Sequence, residues 1–258
     1  MNPPIRVVTL GSSVAVLVRP RPAGPDEVVY SRHLERELRA RGHDAEVINE
    51  GRWFEMVDQT YSRWDAAVSA HAPDVVILNF GFVECQPPVL PYPVHRWILD
   101  WKTPLGLVRG RVRRPLIDRS RQALGWWTPK ATAWMGQRGH KRSPKRFGAE
   151  MTRLITSTRN EVQASVLVLG ISPPTGWVLE FMPGIDERAA QYNRILERVV
   201  ESRADPDVHF VSLEPVIAKL GIDLTGDGIH FTAEAHRLLA SVLADEVEAI
   251  VARRAQHD

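Results

Sequence analysis

Five short apolar runs constrain this chain more than any other feature. They are Ile5–Leu10, Asp44–Asn49, Asp74–Phe80, Ser165–Leu169 and Asp207–Leu213. The first four are followed within two residues by glycine, at Gly11, Gly51, Gly81 and Gly170. Runs this short, rich in Val and Ile, read as buried strands. Segments of helical spacing alternate with them. Asp26 to Arg41 carries Tyr30, Leu34 and Leu38 on one face and stops at Gly42. Trp53 to Ala70 carries Trp53, Val57, Tyr61, Trp64 and Val68. Asp186 to Ser202 turns Tyr192, Ile195, Val199 and Val200 inward, and Thr232 to Arg253 has a stripe from Leu238 to Val251 with Thr232 as N-cap. Alternating strands and helices imply an α/β fold, a parallel sheet covered on both faces. Ligands of such sheets bind beyond the carboxyl ends of the strands. Ser13, Gly51, Gly81 to Glu84 and Gly170 therefore fall on one rim.

The pattern breaks between strands three and four. Gln86 to Pro93 is proline-rich, and the segment from Arg96 to Arg146 holds 14 of the 33 Lys and Arg residues but two of the 31 acids, Asp100 and Asp118. It also holds five of the eight tryptophans, at 97, 101, 126, 127 and 134. Leu105 to Leu124 has poor helical periodicity, Gly125 to Gly148 reads as loop, and a helix resumes around Met151. We read a single domain, 1–258, with a lid-like insertion at about 86–148 after strand three. Three readings of the insertion stand side by side: a solvated lid, a binder of an anionic or carbohydrate substrate through Arg and Trp, and a nucleic-acid or membrane-surface contact. Nucleic acid is the least expected of these partners. No window is apolar for the 18 or so residues of a membrane span, and the N-terminus lacks a secretory pattern. A lone cysteine, Cys85, forbids an internal disulfide and fits a reducing cytoplasm.

The chemistry is carried by two strings 214 residues apart. Gly11-Ser12-Ser13 closes the first strand, and Asp227-Gly228-Ile229-His230 precedes the last helix. A serine beside a histidine, with an aspartate three residues from that histidine, supplies a nucleophile, a base and the group that orients the base. The plain alternatives are a capping serine and a polar turn, Thr225 to Gly228. Their order and their places at strand ends favour catalysis. Cys85 reads as a small buried residue and His236 as a surface or rim residue. His95 and His140 are too sparse for a metal site, and no glycine-rich phosphate loop is present. No cofactor is expected.

Together these strings resemble the SGNH, or GDSL-type, serine hydrolase superfamily, outside roughly 86–148. The resemblance implies a three-layer α/β/α, flavodoxin-like sheet of about five strands. It implies Ser13, Asp227 and His230 as catalytic residues, with the N–H groups of Ser13 and Gly51 (in Asn49-Glu50-Gly51) as an oxyanion hole. Gly170-Ile-Ser-Pro-Pro174 and Tyr192-Asn193 fit the same pattern. Two positions depart from it. Ser12 replaces an aspartate of the first block, a mild change. In Gly81-Phe82-Val83-Glu84, Val83 replaces the asparagine that supplies a further oxyanion donor, and valine cannot donate. Asn79, Glu84, Trp97 and Arg109 are secondary candidates for substrate contact. For Glu84 an anchoring role, bonded to nearby backbone, is preferred over acid–base work. The expected function is serine-dependent ester hydrolysis or acyl transfer on a small acylated substrate, carbohydrate or anionic. The alternative is a catalytically degenerate binding protein that holds an anionic ligand through its basic insertion.

Overall fold

The computed structural model describes residues 4–22, 24–87 and 140–256. Most of the expected insertion, including Trp97 and Arg109, lies outside these residues. The strands are β1 (Ile5–Gly11), β2 (Ala45–Asn49), β3 (Val75–Asn79), β4 (Ser165–Leu169) and β5 (Val208–Val211). The helices are α1 (Tyr30–Ala40), α2 (Val57–Tyr61), α3 (Trp64–Ala67), α4 (Phe82–Cys85), α5 (Pro144–Ser157), α6 (Trp177–Phe181), α7 (Ile185–Glu201), α8 (Glu214–Leu220) and α9 (Ala233–Arg254).

The sheet runs in the order β2-β1-β3-β4-β5, and every pairing is parallel. This is the flavodoxin-like order, with the switch point between β1 and β3. Side chains alternate across the sheet. Val8, Leu10, Val76, Leu78, Val166 and Val168 join one core, with Met151, Leu154 and Ile155 of α5 and Tyr192 and Leu196 of α7. Val7, Val75, Ile77, Leu167 and Leu169 join the other, with Leu34 and Leu38 of α1 and Leu239, Leu243, Val247 and Ile250 of α9. Each such aliphatic side chain contributes about 1.5–3 kcal/mol on burial. The Thr232 cap of α9, whose side chain accepts from the Ala235 N–H, is worth about 1 kcal/mol. Packing, rather than capping, therefore holds α9 to the sheet. Among the described residues no helix is long and apolar enough to cross a membrane.

Two expectations are corrected, and two elements are added. The helix expected over Trp53 to Ala70 is broken into α2, α3 and a 3-10 turn at Ser69–His71. The Gln59 side chain accepts from the Met56 N–H and so starts α2 late. Arg63 then folds back onto the Glu50 carbonyl and the Glu50 and Glu55 carboxylates. Trp53 is left 55% exposed rather than packed. Second, the stretch up to Gly148 is not all loop. α5 begins at Pro144, because Ser143 caps it and proline suits a first helical position. The short helices α6 and α8 were not anticipated.

Candidate active site

β1 delivers Ser13 to the rim. An added Cβ on Gly11 would come within 2.7 Å of the Asn79 carbonyl oxygen, so only glycine permits this approach of β1 to β3. The Ser12 N–H then donates to Asn79 O, and a 3-10 turn, Ser13–Ala15, lifts Ser13 off the sheet. From the other end of the chain, Thr225 and Phe231 close a loop by an antiparallel bridge. Gly228, at φ +81°, turns inside that loop where a side chain would strike Thr175 O.

Ser13 and His230 meet there. Ser13 Oγ lies 2.9 Å from His230 Nε2, and His230 Nδ1 lies 2.8 Å from Asp227 Oδ2. Asp227 Oδ1 accepts the backbone N–H groups of His230 at 2.8 Å and Ile229 at 3.2 Å. Burial alone would raise the Asp227 carboxyl. The His230 N–H and ring and the Ile229 N–H overcome that and hold it below its ordinary value. The carboxylate therefore stays ionised, fixes the Nδ1–H tautomer and leaves Nε2 to accept the Ser13 hydroxyl proton.

The oxyanion donors are fewer than expected. No acceptor lies on the Ser13 N–H among the described residues. The Gly51 N–H, expected to be free, already donates to Asn49 Oδ1 at 3.0 Å. Asn49 is itself fixed, donating to Ala15 O at 2.9 Å and Ser31 Oγ at 3.1 Å and accepting from Thr9 Oγ1. Gly51 thus offers at most a shared bond. Val83 is buried and supplies no donor.

Of the two secondary candidates the structure describes, Glu84 takes the anchoring role preferred for it rather than substrate contact. Glu84 is fully buried, and its oxygens accept the Gly81 and Val57 N–H groups at 3.0 and 3.1 Å. It pins the start of α4 to α2 and is closed to substrate. Burial raises its carboxyl to about 7. Asn79 lies in the sheet beside Thr9 and the Tyr30 hydroxyl, next to the Ser13 turn. Its amide nitrogen is buried and makes no hydrogen bond. Cys85 is buried, as expected.

His236 is not a rim residue. It is fully buried, accepts the Tyr30 N–H on Nδ1 at 3.1 Å and donates from Nε2 to Leu17 O at 2.9 Å. It ties α9 to α1 and to the segment leaving Ser13. Arg19, on that segment, brings its Nε to 3.5 Å from Asp227 Oδ2. Sequence reading missed Asn49, His236 and Arg19 as supports. Only Asn49 stood inside a motif that could have drawn attention to it.

The large hydrophobics exposed among the described residues all flank this centre. Trp53 and Phe54 follow Arg52, whose N–H donates to Gly11 O at 2.9 Å. Trp177 and Leu179 follow Thr175, whose N–H donates to Gly228 O at 3.1 Å.

Solved structures share the fold. A lipase/acylhydrolase from Enterococcus faecalis aligns with a TM-score of 0.62 at 16% identity, covering 95% of each chain. An acetylxylan esterase from Geobacillus stearothermophilus aligns at 0.59 and 16% identity, over 94% of this chain and 93% of its own. A further acetyl xylan esterase aligns at 0.59 and 15% identity, over 94% of this chain and all of its own. At these identities the likeness concerns the fold alone. No curated protein matches the chain. Residues 10–238, however, match the family model of the GDSL-like lipases and acylhydrolases. The chain therefore belongs to the GDSL-like Lipase/Acylhydrolase family, a family of esterase-type hydrolases.

Proposed function

We propose that this protein is a serine-dependent ester hydrolase or acyltransferase that works through an acyl-enzyme. The observation that carries this reading is the unbroken chain from Ser13 Oγ through His230 to Asp227. Ser13 Oγ attacks the ester carbonyl while His230 Nε2 takes its proton. The tetrahedral intermediate collapses, His230 returns the proton to the leaving alkoxide, and the acyl group stays on Ser13. Water or an acceptor hydroxyl then repeats the sequence and frees the serine. The Ser13 N–H faces the developing oxyanion, and Gly51 shares in it by loosening its bond to Asn49. Loss of one oxyanion donor costs about 3–4 kcal/mol in a serine hydrolase, so slow turnover is expected.

The substrate we favour is a small acylated molecule, carbohydrate or anionic. The acetylxylan esterase neighbours and the basic, tryptophan-bearing insertion support this choice. The lone, buried Cys85 fits a cytoplasmic protein. A second reading, a binding protein with a degenerate site, is favoured by Val83 and by the occupied Gly51 N–H.

Labelling with a fluorophosphonate, mapped by peptide mass spectrometry, separates the two. The expected result is an adduct on Ser13, at least a hundredfold slower to form in His230→Ala and absent in Ser13→Ala. A folded wild type that takes no adduct would overturn the enzyme reading and leave the binding one.

A further inference from the structure

We infer that Arg19 is a positioning residue that extends catalysis to lower pH by sharing the Asp227 carboxylate with His230. The inference rests on the nucleophile reading above. Arg19 Nε is buried, makes no hydrogen bond of its own and lies 3.5 Å from Asp227 Oδ2. That oxygen is the one that accepts His230 Nδ1–H at 2.8 Å. The other oxygen, Oδ1, is already spent on two backbone N–H groups. The guanidinium and the imidazole therefore face one carboxylate oxygen.

The placement is built rather than incidental. The Arg19 N–H donates to Phe231 O at 2.9 Å, next to the catalytic histidine. Two residues earlier, Leu17 O accepts from His236. One segment, 13–19, thus carries both the nucleophile and the cation, stitched once to the loop that carries the base and once to α9 behind it.

The consequence is electrostatic. His230 is a base only when neutral. A carboxylate alone favours the imidazolium form, and a fixed cation beside that carboxylate opposes it. Removing the Arg19 charge is therefore expected to move the acid limb of activity to higher pH. His236, on α9, is held neutral by burial, which lowers it to about 4. His33, on α1, interacts with His236 and is itself lowered, chiefly by burial. Thr175 and Val178, which pack on Gly228, carry no charge.

The test compares pH profiles of kcat/KM on an activated ester, and of fluorophosphonate labelling, for wild type, Arg19→Gln and Arg19→Lys. Circular dichroism checks that each is folded. Because both side chains are about one-third exposed, solvent weakens the coupling, and the shift expected is about half a unit to one unit. In Arg19→Gln the acid limb moves to higher pH by that amount. In Arg19→Lys, which keeps the charge, it stays close to wild type. Superimposed limbs for wild type and Arg19→Gln would overturn the inference while leaving the Ser13 mechanism intact. So would an equal fall in rate at every pH in both variants, the mark of a merely structural arginine. A wild type whose Ser13 takes no His230-dependent adduct would remove both.

Discussion

Two buried groups beside the site titrate in opposite senses. His236 is lowered to about 4 by burial, so the fold favours its neutral form. Its contribution is fully present above the unfolded value near 6.5 and is lost as pH falls toward 4. Glu84 is raised to about 7, again by burial first, so the fold favours its protonated form. Its contribution is present below the unfolded value near 4.5 and is lost as pH rises through 7. Each shift corresponds to about 3 kcal/mol at the extremes, and over pH 4.5–6.5 the two slopes offset. Urea unfolding across this range should show it. The stability gap between wild type and His236→Gln is expected to widen as pH rises from 4 to 6.5. The gap to Glu84→Gln is expected to narrow as pH rises from 4.5 to 7. Two flat gaps would mean that neither group is held in the form described. The anchoring of Glu84 on nearby backbone was read from the sequence, whereas the role of His236 was not legible there. His236 acts through partners 206 and 219 residues away, and no local pattern marks such contacts. The contact of Ser13, His230 and Asp227 was legible because Asp227 and His230 sit three residues apart in one loop and Ser13 closes a strand.

The strands were the most readable elements, because a run such as Val75–Asn79 is buried at every residue and has no alternative as a surface helix. The region from Trp53 to Ala70 was the least readable. Its apolar residues recur at helical spacing, yet the Arg63 contacts to Glu50 and Glu55 outweigh that periodicity and bend the chain. On the mechanism proposed above, the element that matters most for rate is α4. Its sequence replaces an amide donor with Val83, and its Glu84 is fixed on the Gly81 and Val57 N–H groups. If donor loss limits turnover, Val83→Asn should raise kcat on an activated ester about 10- to 100-fold. That is less than the 10²–10³ cost of removing one donor from a refined site, because burying the amide at this position is itself unfavourable. Steady-state kinetics on a variant shown to be folded decides it. Unchanged kcat would mean that acyl transfer to water is limited by something other than oxyanion binding.

At the scale of the whole molecule the question is whether the sheet and its helices need the inserted segment at all. The chain leaves at Gln86 and returns at Lys141, whose N–H donates to Gln86 O at 2.9 Å. Lys141 Nζ also donates to Gln86 Oε1 at 2.7 Å, and the Arg142 N–H donates to Glu84 O at 3.2 Å. Both sides of this neck are fastened to the body. Arg188 Nε holds the Cys85 carbonyl at 3.0 Å, the Tyr192 hydroxyl donates to Arg142 O, and the Arg142 guanidinium pairs with Asp58. A segment whose ends already touch can be shortened without moving them. Replacing residues 88–139 by about four glycines and serines leaves the Gln86–Lys141 neck and its fastenings in place. The shortened protein is therefore expected to unfold cooperatively, at a urea midpoint no lower than that of wild type. Ser13 should still take a His230-dependent fluorophosphonate adduct. Preference for anionic or carbohydrate esters over small neutral ones should disappear if the basic segment supplies it. An aggregated or unfolded product would show that the core extends into the segment, and that 1–258 is not a sheet domain with a separable insertion.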